Sequence, residues 1–182
     1  MKTSYPLNEV YRLLEPGPVV LVTTVRGGKP NIMPMTWHLM LEFVPPLVGC
    51  VISNQNWSFA SLKRSKECVI NIPTVELLNK VVACGNLHGE HANKFLAVGL
   101  TPVPAAQVRP PLIAECYASL ECKVVDTKFV NKYNFFVLEV VQAWIDRRRK
   151  RPRTLHHQGE GEFMVAGRTI HLPSPITDRG GS

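Results

Sequence analysis

The chain has 182 residues, 45% apolar and 19% charged, with a formal net charge of +7. That composition excludes a disordered or collagen-like chain and gives one domain enough apolar surface to fold without disulfides or a structural metal. No apolar run nears the roughly 18 residues of a membrane helix, and the N-terminus lacks the basic-then-apolar order of a secretory signal. A membrane span and secretion are therefore not expected, and the chain is placed in the cytoplasm.

In chain order, Leu7, Val10, Tyr11 and Leu14 recur at helical spacing and predict a short helix that Glu15-Pro-Gly-Pro ends. Residues 19–25 are dense in β-branched side chains. Arg26-Gly-Gly-Lys then supplies a hairpin turn into a second strand over 31–38. A strand over 47–53 follows Pro45-Pro46 and runs into a short helix within 54–64 opened by polar residues. Residues 67–72 read as strand, and Thr74 as the cap of a helix carrying Val75, Leu78, Val81 and Val82 and stopped by Gly85. A Gly- and Pro-rich connection over 86–111 holds a helical turn or two near 92–96. Two long alternating strands, 112–125 and 133–145, come next, then a basic run, a short strand over 163–166 and a Pro/Ser/Gly tail. Six or seven strands with short helices between them predict a mostly β fold, a closed or partly closed antiparallel barrel.

The charge is local. Arg147, Arg148, Arg149, Lys150, Arg151 and Arg153 contribute six of the seven net positive charges. A protein that grips nucleic acid over a broad face spreads its basic residues along several elements, so a nucleic-acid-binding barrel is the weakest of the readings considered. The five cysteines, Cys50, Cys68, Cys84, Cys116 and Cys122, are odd in number, form no Cys-x-x-Cys pair and sit among apolar neighbours. A disulfide framework and a zinc site are not expected. His88 and His91 are three apart, but Gly89 between them weakens a helix and no further ligand completes a metal set.

Two places can carry chemistry. Where the strand 47–53 meets the next helix, Ser53, Asn54, Asn56 and Ser58 offer hydroxyls, amides and free backbone N–H groups to one point, which suits a phosphate or, more simply, caps the helix. Along Met33-Pro-Met-Thr-Trp-His38 the thioethers and the indole suit the faces of a flat heteroaromatic ligand. Alternate positions packing into a core account for the same pattern. No Gly-x-Ser-x-Gly, Walker loop or Gly-x-Gly-x-x-Gly is present.

Taken together, Pro18-Val-Val-Leu-Val-Thr-Thr, Asn31-Ile-Met-Pro-Met-Thr-Trp-His, Pro45-Pro-Leu-Val-Gly-Cys-Val-Ile-Ser, Cys68-Val-Ile-Asn-Ile-Pro and Asn93-Lys-Phe with Gly99-Leu-Thr resemble the flavin reductase-like, FMN-binding split-barrel family, in its flavoredoxin branch. Leu155-His-His-Gln-Gly and Phe163-Met-Val-Ala-Gly extend the likeness. The resemblance implies one domain over 1–182, with a basic loop and C-terminal extension over 147–182. It implies a homodimer of Greek-key-like split barrels with short peripheral helices, each holding FMN without covalent attachment near the subunit interface. By position, Met33, Pro34, Met35, Thr36 and Trp37 would line the isoalloxazine ring and Val51, Ile52 and Ser53 would offer backbone to its rim. Asn56 and Ser58 would meet the ribityl phosphate, and Lys94 would add a phosphate or rim contact. No side chain is assigned as a catalytic acid, base or nucleophile, because the flavin would carry the redox chemistry. The implied activity is NAD(P)H-dependent flavin reduction, or electron transfer from a reduced protein partner, toward flavin, metal or protein acceptors. A carrier or redox sensor without turnover is the alternative. Arg147 to Arg153 would then be a funnel for phosphorylated ligands, or a solvated loop.

Overall fold

The computed structural model describes residues 17–90 and 92–170, together with Pro6, Asn8 and Leu13. The apolar positions Leu7, Val10, Tyr11 and Leu14 of the first expected helix, and His91, lie outside the described residues. The chain runs through β1 (Val20–Arg26), β2 (Lys29–Met35), β3 (His38–Glu42), β4 (Leu47–Val51), α1 (Trp57–Ser65) and β5 (Glu67–Ile72). A 3-10 turn (Val75–Leu77) leads into α2 (Leu78–Asn86). Then come α3 (Lys94–Val98), β6 (Pro102–Val103), β7 (Leu112–Ile113), β8 (Ala118–Asp126), the single-turn α4 (Val130–Tyr133), β9 (Phe135–Ile145), β10 (Leu155–Gly159) and β11 (Glu162–Val165).

Seven strands form one antiparallel sheet in the order β2-β1-β5-β8-β9-β4-β3. Its two edges, β2 and β3, are consecutive in the chain and separated only by Thr36 and Trp37, so the barrel is open along that seam. The strand expected over 31–38 is thus two strands on opposite sides of the opening. Similarly, the strand expected over 112–125 is divided by a turn at 114–117, in which Cys116 N–H donates to Ile113 O at 3.1 Å. Gly85 does not stop α2, which continues to Asn86.

The run of β-branched residues in β1 has its reason in burial on both faces. Val20 and Val22 face the barrel interior with Met33, Met35, Cys50, Ile52, Cys68, Ile70, Phe136 and Leu138. Val19 and Leu21 face an outer layer made by α2, α3 and the C-terminal hairpin, where Leu77, Val81, Phe95 and Leu155 pack. Gly27 and Gly28, at φ +57° and +76°, make the tight turn that returns the chain as β2. The hairpin β10–β11 is tied to this layer by Val19 N–H donating to Leu155 O at 2.7 Å. Residues 155–165 are therefore built into the fold rather than appended to it.

One buried carboxylate organises the long connection between β6 and β7. Glu121, on β8 and fully buried, accepts the N–H groups of Ala106, Gln107 and Val108 at 3.0, 2.6 and 3.2 Å and the Trp144 indole N–H at 2.7 Å. Burial alone pushes the carboxyl up; the hydrogen bonds from Ala106, Trp144, Gln107 and Val108 outweigh it and hold the group below its ordinary value. Its stabilisation is therefore present above the unfolded carboxyl value of about 4.3 and is lost as pH falls through the lower folded value. Glu121→Leu strands four donors and is expected to cost about 3 kcal/mol or more, lowering Tm by roughly 6–12 °C in calorimetry at neutral pH, with a smaller difference from wild type in acid.

Candidate functional site

A cavity of about 480 Å³ opens where β2, the start of α1, the second half of α2 and the β10–β11 hairpin meet. That volume suits a ligand of mononucleotide size. Of the residues expected at the site, Met33, Pro34, Met35, Thr36, Asn56, Ser58 and Lys94 line it. Met33 and Met35 belong to the barrel core as well and present only an edge, which reconciles the core and ligand readings of that segment.

The other four stand elsewhere. Trp37 breaks the alternation of Met33 and Met35 and is 54% exposed at the seam, its carbonyl accepting Val51 N–H at 3.0 Å. Val51 lines a separate apolar pocket with Phe129, Tyr133 and Phe135. Ile52 is in the barrel core, and its N–H donates to Asn134 O at 3.1 Å. The N–H groups of Val51 and Ile52 are thus committed within the chain. Ser53 shapes the entry to α1: its carbonyl accepts Asn56 N–H at 2.9 Å and its hydroxyl accepts Gln55 N–H at 3.3 Å.

The start of α1 is suited to an anion. Asn56 occupies the N-cap position, but its side chain makes no capping hydrogen bond, and no acidic residue lies in the first turn. Simple capping therefore does not account for Asn56. The first amides of a helix lack intrahelical acceptors and carry the positive end of its dipole. Lys94, the first residue of α3, brings a full charge to the same cavity. It is 5% exposed, and its ammonium donates to Cys84 O at 2.7 Å. Burial pushes that ammonium below its ordinary value, against a smaller opposing effect of Cys84. Asn93 caps α3 by accepting Leu96 N–H at 3.3 Å, leaving Lys94 to be oriented by the α2 carbonyl. Among the described lining residues there is no aspartate or glutamate. A desolvated cation beside a helix N-terminus without a counter-ion favours an anionic ligand.

Several lining residues had no part in the reading of the sequence as site residues: Asn31, Trp57, Gly89, Gly161 and Phe163. Asn31 alone carried a signal, as the polar member of the buried Asn31, Met33, Met35 series. The others come together only through the packing of α1, the chain after α2 and the C-terminal hairpin. His157 and Phe163 face each other across that hairpin with ring centroids 4.8 Å apart and form one wall. The Arg26 guanidinium lies 5.7 Å from the Trp57 ring centroid at the start of α1. Cys84 also lines the cavity, but burial pushes its thiol up to about 11, which keeps it protonated at neutral pH and unsuited to nucleophilic work.

Gly89 allows the chain after α2 to close over the cavity. A Cβ there would stand 2.5 Å from Asn31 Oδ1 and 2.8 Å from its Cγ. Gly89→Ala is expected to cost about 1–3 kcal/mol of overpacking strain, a fall of roughly 2–12 °C in Tm by calorimetry.

A family model described as the flavin reductase like domain matches residues 12–163. An uncharacterized protein of Escherichia coli is 31% identical over 178 residues, covering 90% of this chain and 94% of that protein. An uncharacterized protein of Archaeoglobus fulgidus is 37% identical over 115 residues, 63% of this chain; the match spans 65% of that protein's length. Among solved structures, an FMN-binding domain of a flavin reductases-like enzyme from Shewanella baltica superposes with a TM-score of 0.81 at 29% identity, covering 94% of this chain and 97% of that one. The flavoredoxin of Desulfovibrio vulgaris shares the fold with a TM-score of 0.83 at 24% identity, over 94% of this chain and 97% of its own.

Proposed function

This chain belongs to the family of flavin reductase-like domains, and from that membership we propose that it is an FMN-binding oxidoreductase. It passes electrons from a reduced nicotinamide or a protein donor to a flavin, metal or protein acceptor. The observation that carries this reading is the buried Lys94 ammonium, which shares with the start of α1 a cavity whose described lining residues include no carboxylate. When bound, FMN supplies the redox chemistry, accepting and releasing electrons in the cavity. The chain's own groups do the binding. Ser58 and the first amides of α1 hold the phosphate, and Lys94 adds charge at the phosphate or the ring rim. The β2 segment from Met33 to Thr36 and the His157–Phe163 wall exclude water from the ring.

The cytoplasm remains the proposed setting, in keeping with five unpaired buried cysteines. No helix among the described residues is long and apolar enough to cross a membrane.

The same reading includes a homodimer. The edge strand β3 exposes Leu39, Met40 and Leu41, and Phe43 and Val44 after it are 74% and 83% exposed. An apolar sheet edge of this length invites pairing unless it is covered, and a second copy covers it at the seam. Leu39→Glu with Leu41→Lys is expected to convert a dimer to a monomer in sedimentation velocity, whereas an unchanged sedimentation coefficient counts against the dimer.

FMN added to the purified protein is expected to lose fluorescence saturably, and Lys94→Met to weaken that binding about tenfold or more. Rapid anaerobic bleaching by NADH or NADPH identifies an enzyme, while bleaching by a reduced partner protein alone identifies a carrier. In the basic loop, Arg148 pairs with Asp146 at 2.8 Å, and Arg149 and Arg153 reach Glu76 at 3.5 and 3.9 Å. Arg147, Lys150 and Arg151 are therefore the charges to neutralise for the funnel. Their replacement is expected to raise KM for NADPH more than for NADH; equal effects identify a solvated loop.

A further inference from the structure

At the end of the barrel that α1 closes, polar side chains are buried among apolar ones. Thr24 and Asn31 stand opposite each other in the β1–β2 ladder, and both are buried. Thr24 Oγ1 and Asn31 Oδ1 are the buried side-chain polar atoms that find no partner among the described residues. The amide of Asn31 is used on one side only: Nδ2 donates to Ser58 Oγ at 3.0 Å. Reversing the amide would let Ser58 donate to Asn31 but leave both amide protons buried without acceptors. Orphaned N–H groups are rarer in proteins than under-used carbonyls, which favours the orientation described.

This bond decides what Ser58 can do. A hydroxyl has one proton and two acceptor sites. With Nδ2 of Asn31 on an acceptor site, the proton must point elsewhere. Ser61, one turn along α1, returns its proton to Trp57 O at 3.0 Å. Ser58 lacks that outlet because the residue four before it, Asn54, precedes the helix. No acceptor for the Ser58 proton occurs among the described residues, and Ser58 lines the cavity.

We propose that Asn31 is a positioning residue that makes the cavity selective for a flavin bearing a phosphate monoester over one bearing a free hydroxyl, by holding the Ser58 hydroxyl as a donor at the start of α1. A donor held in this way matches an acceptor-only phosphate oxygen and gains more from its negative charge than from a neutral hydroxyl. The inference rests on the FMN reading above and adds to it the origin of phosphate selectivity. It also gives a reason for Gly89, whose missing side chain leaves room for the Asn31 amide.

The test is titration of FMN and of riboflavin, by fluorescence quenching at fixed ionic strength, into wild type, Ser58→Ala, Asn31→Asp and the double variant. An aspartate accepts the Ser58 proton and so reverses the bond, and its charge repels phosphate with or without Ser58. The cycle separates the two effects. The expected result is a riboflavin-to-FMN Kd ratio that falls about tenfold in Ser58→Ala. It should fall about tenfold further on Asn31→Asp when Ser58 is present than when it is absent. Equal effects of Asn31→Asp in the two backgrounds overturn the inference while the FMN reading stands. Should Asn31→Asp fail to fold, the Asn31 side-chain amide signals of the wild type decide: a shift with FMN and not with riboflavin is expected, and equal shifts overturn the inference. Absence of saturable quenching with either flavin removes the FMN reading and this inference together.

Discussion

The rest of the structure depends on burial of the β1–β2 hairpin from both sides. Apolar side chains of β1 point alternately into the barrel and into the outer layer, so one strand joins two cores that would otherwise be independent. Because β2 is also an edge of the sheet, one side of its backbone meets no strand, and the cavity opens against it. The site therefore sits where sheet pairing ends but packing continues.

Around that opening, electrostatics comes from groups removed from water. A lysine on the surface would be a weak attractor, screened by solvent. Lys94 is held by a carbonyl and is 5% exposed, so its charge acts through a medium of lower effective dielectric. The start of α1 faces the same space, and nothing acidic among the described lining residues cancels either. Unlike a structural ion pair, such an arrangement is better satisfied with an anion present than without one. The basic loop follows the opposite logic. Much of its charge is answered by Asp146 and Glu76 at the surface, and Val75 N–H donates to Arg153 O at 2.9 Å, pinning the loop against the turn before α2.

The long segment between β6 and β7 shows how an irregular connection is fixed by one carboxylate. Glu121 answers three successive backbone donors and an indole, so a stretch without secondary structure of its own acquires a definite path. Asn71 on β5, two residues beyond Val69, which faces Glu121, acts similarly: Nδ2 donates to Leu21 O at 3.0 Å, and Oδ1 accepts Ile113 N–H and the Ser119 hydroxyl at 3.0 and 2.7 Å. Both are polar residues in otherwise apolar strands, and both mark places where the sheet holds a loop.

By itself the sequence determined the strands near residues 19–25, 47–53, 67–72, 133–145 and 163–166, the hairpin at Gly27-Gly28 and the family, because these depend on local periodicity, turn chemistry and the order of motifs; it did not show the break at Thr36 and Trp37, the turn at 114–117 or the strand Leu155–Gly159. It also pointed to Met33 to Thr36, Asn56, Ser58 and Lys94, which the fold brings to one cavity. Trp37 and residues 51–53 were not separable from these by pattern. Whether a backbone N–H is free depends on which strand lies beside it, and Asn134 and Trp37 are distant in sequence from the groups they satisfy. Only the tertiary structure decided that Asn31 and Ser58 meet, that Gly89 makes room beside them, and that the C-terminal hairpin closes the wall. Those relations join residues 27, 58 and more than 120 positions apart, and no local rule of propensity or spacing connects side chains across such distances.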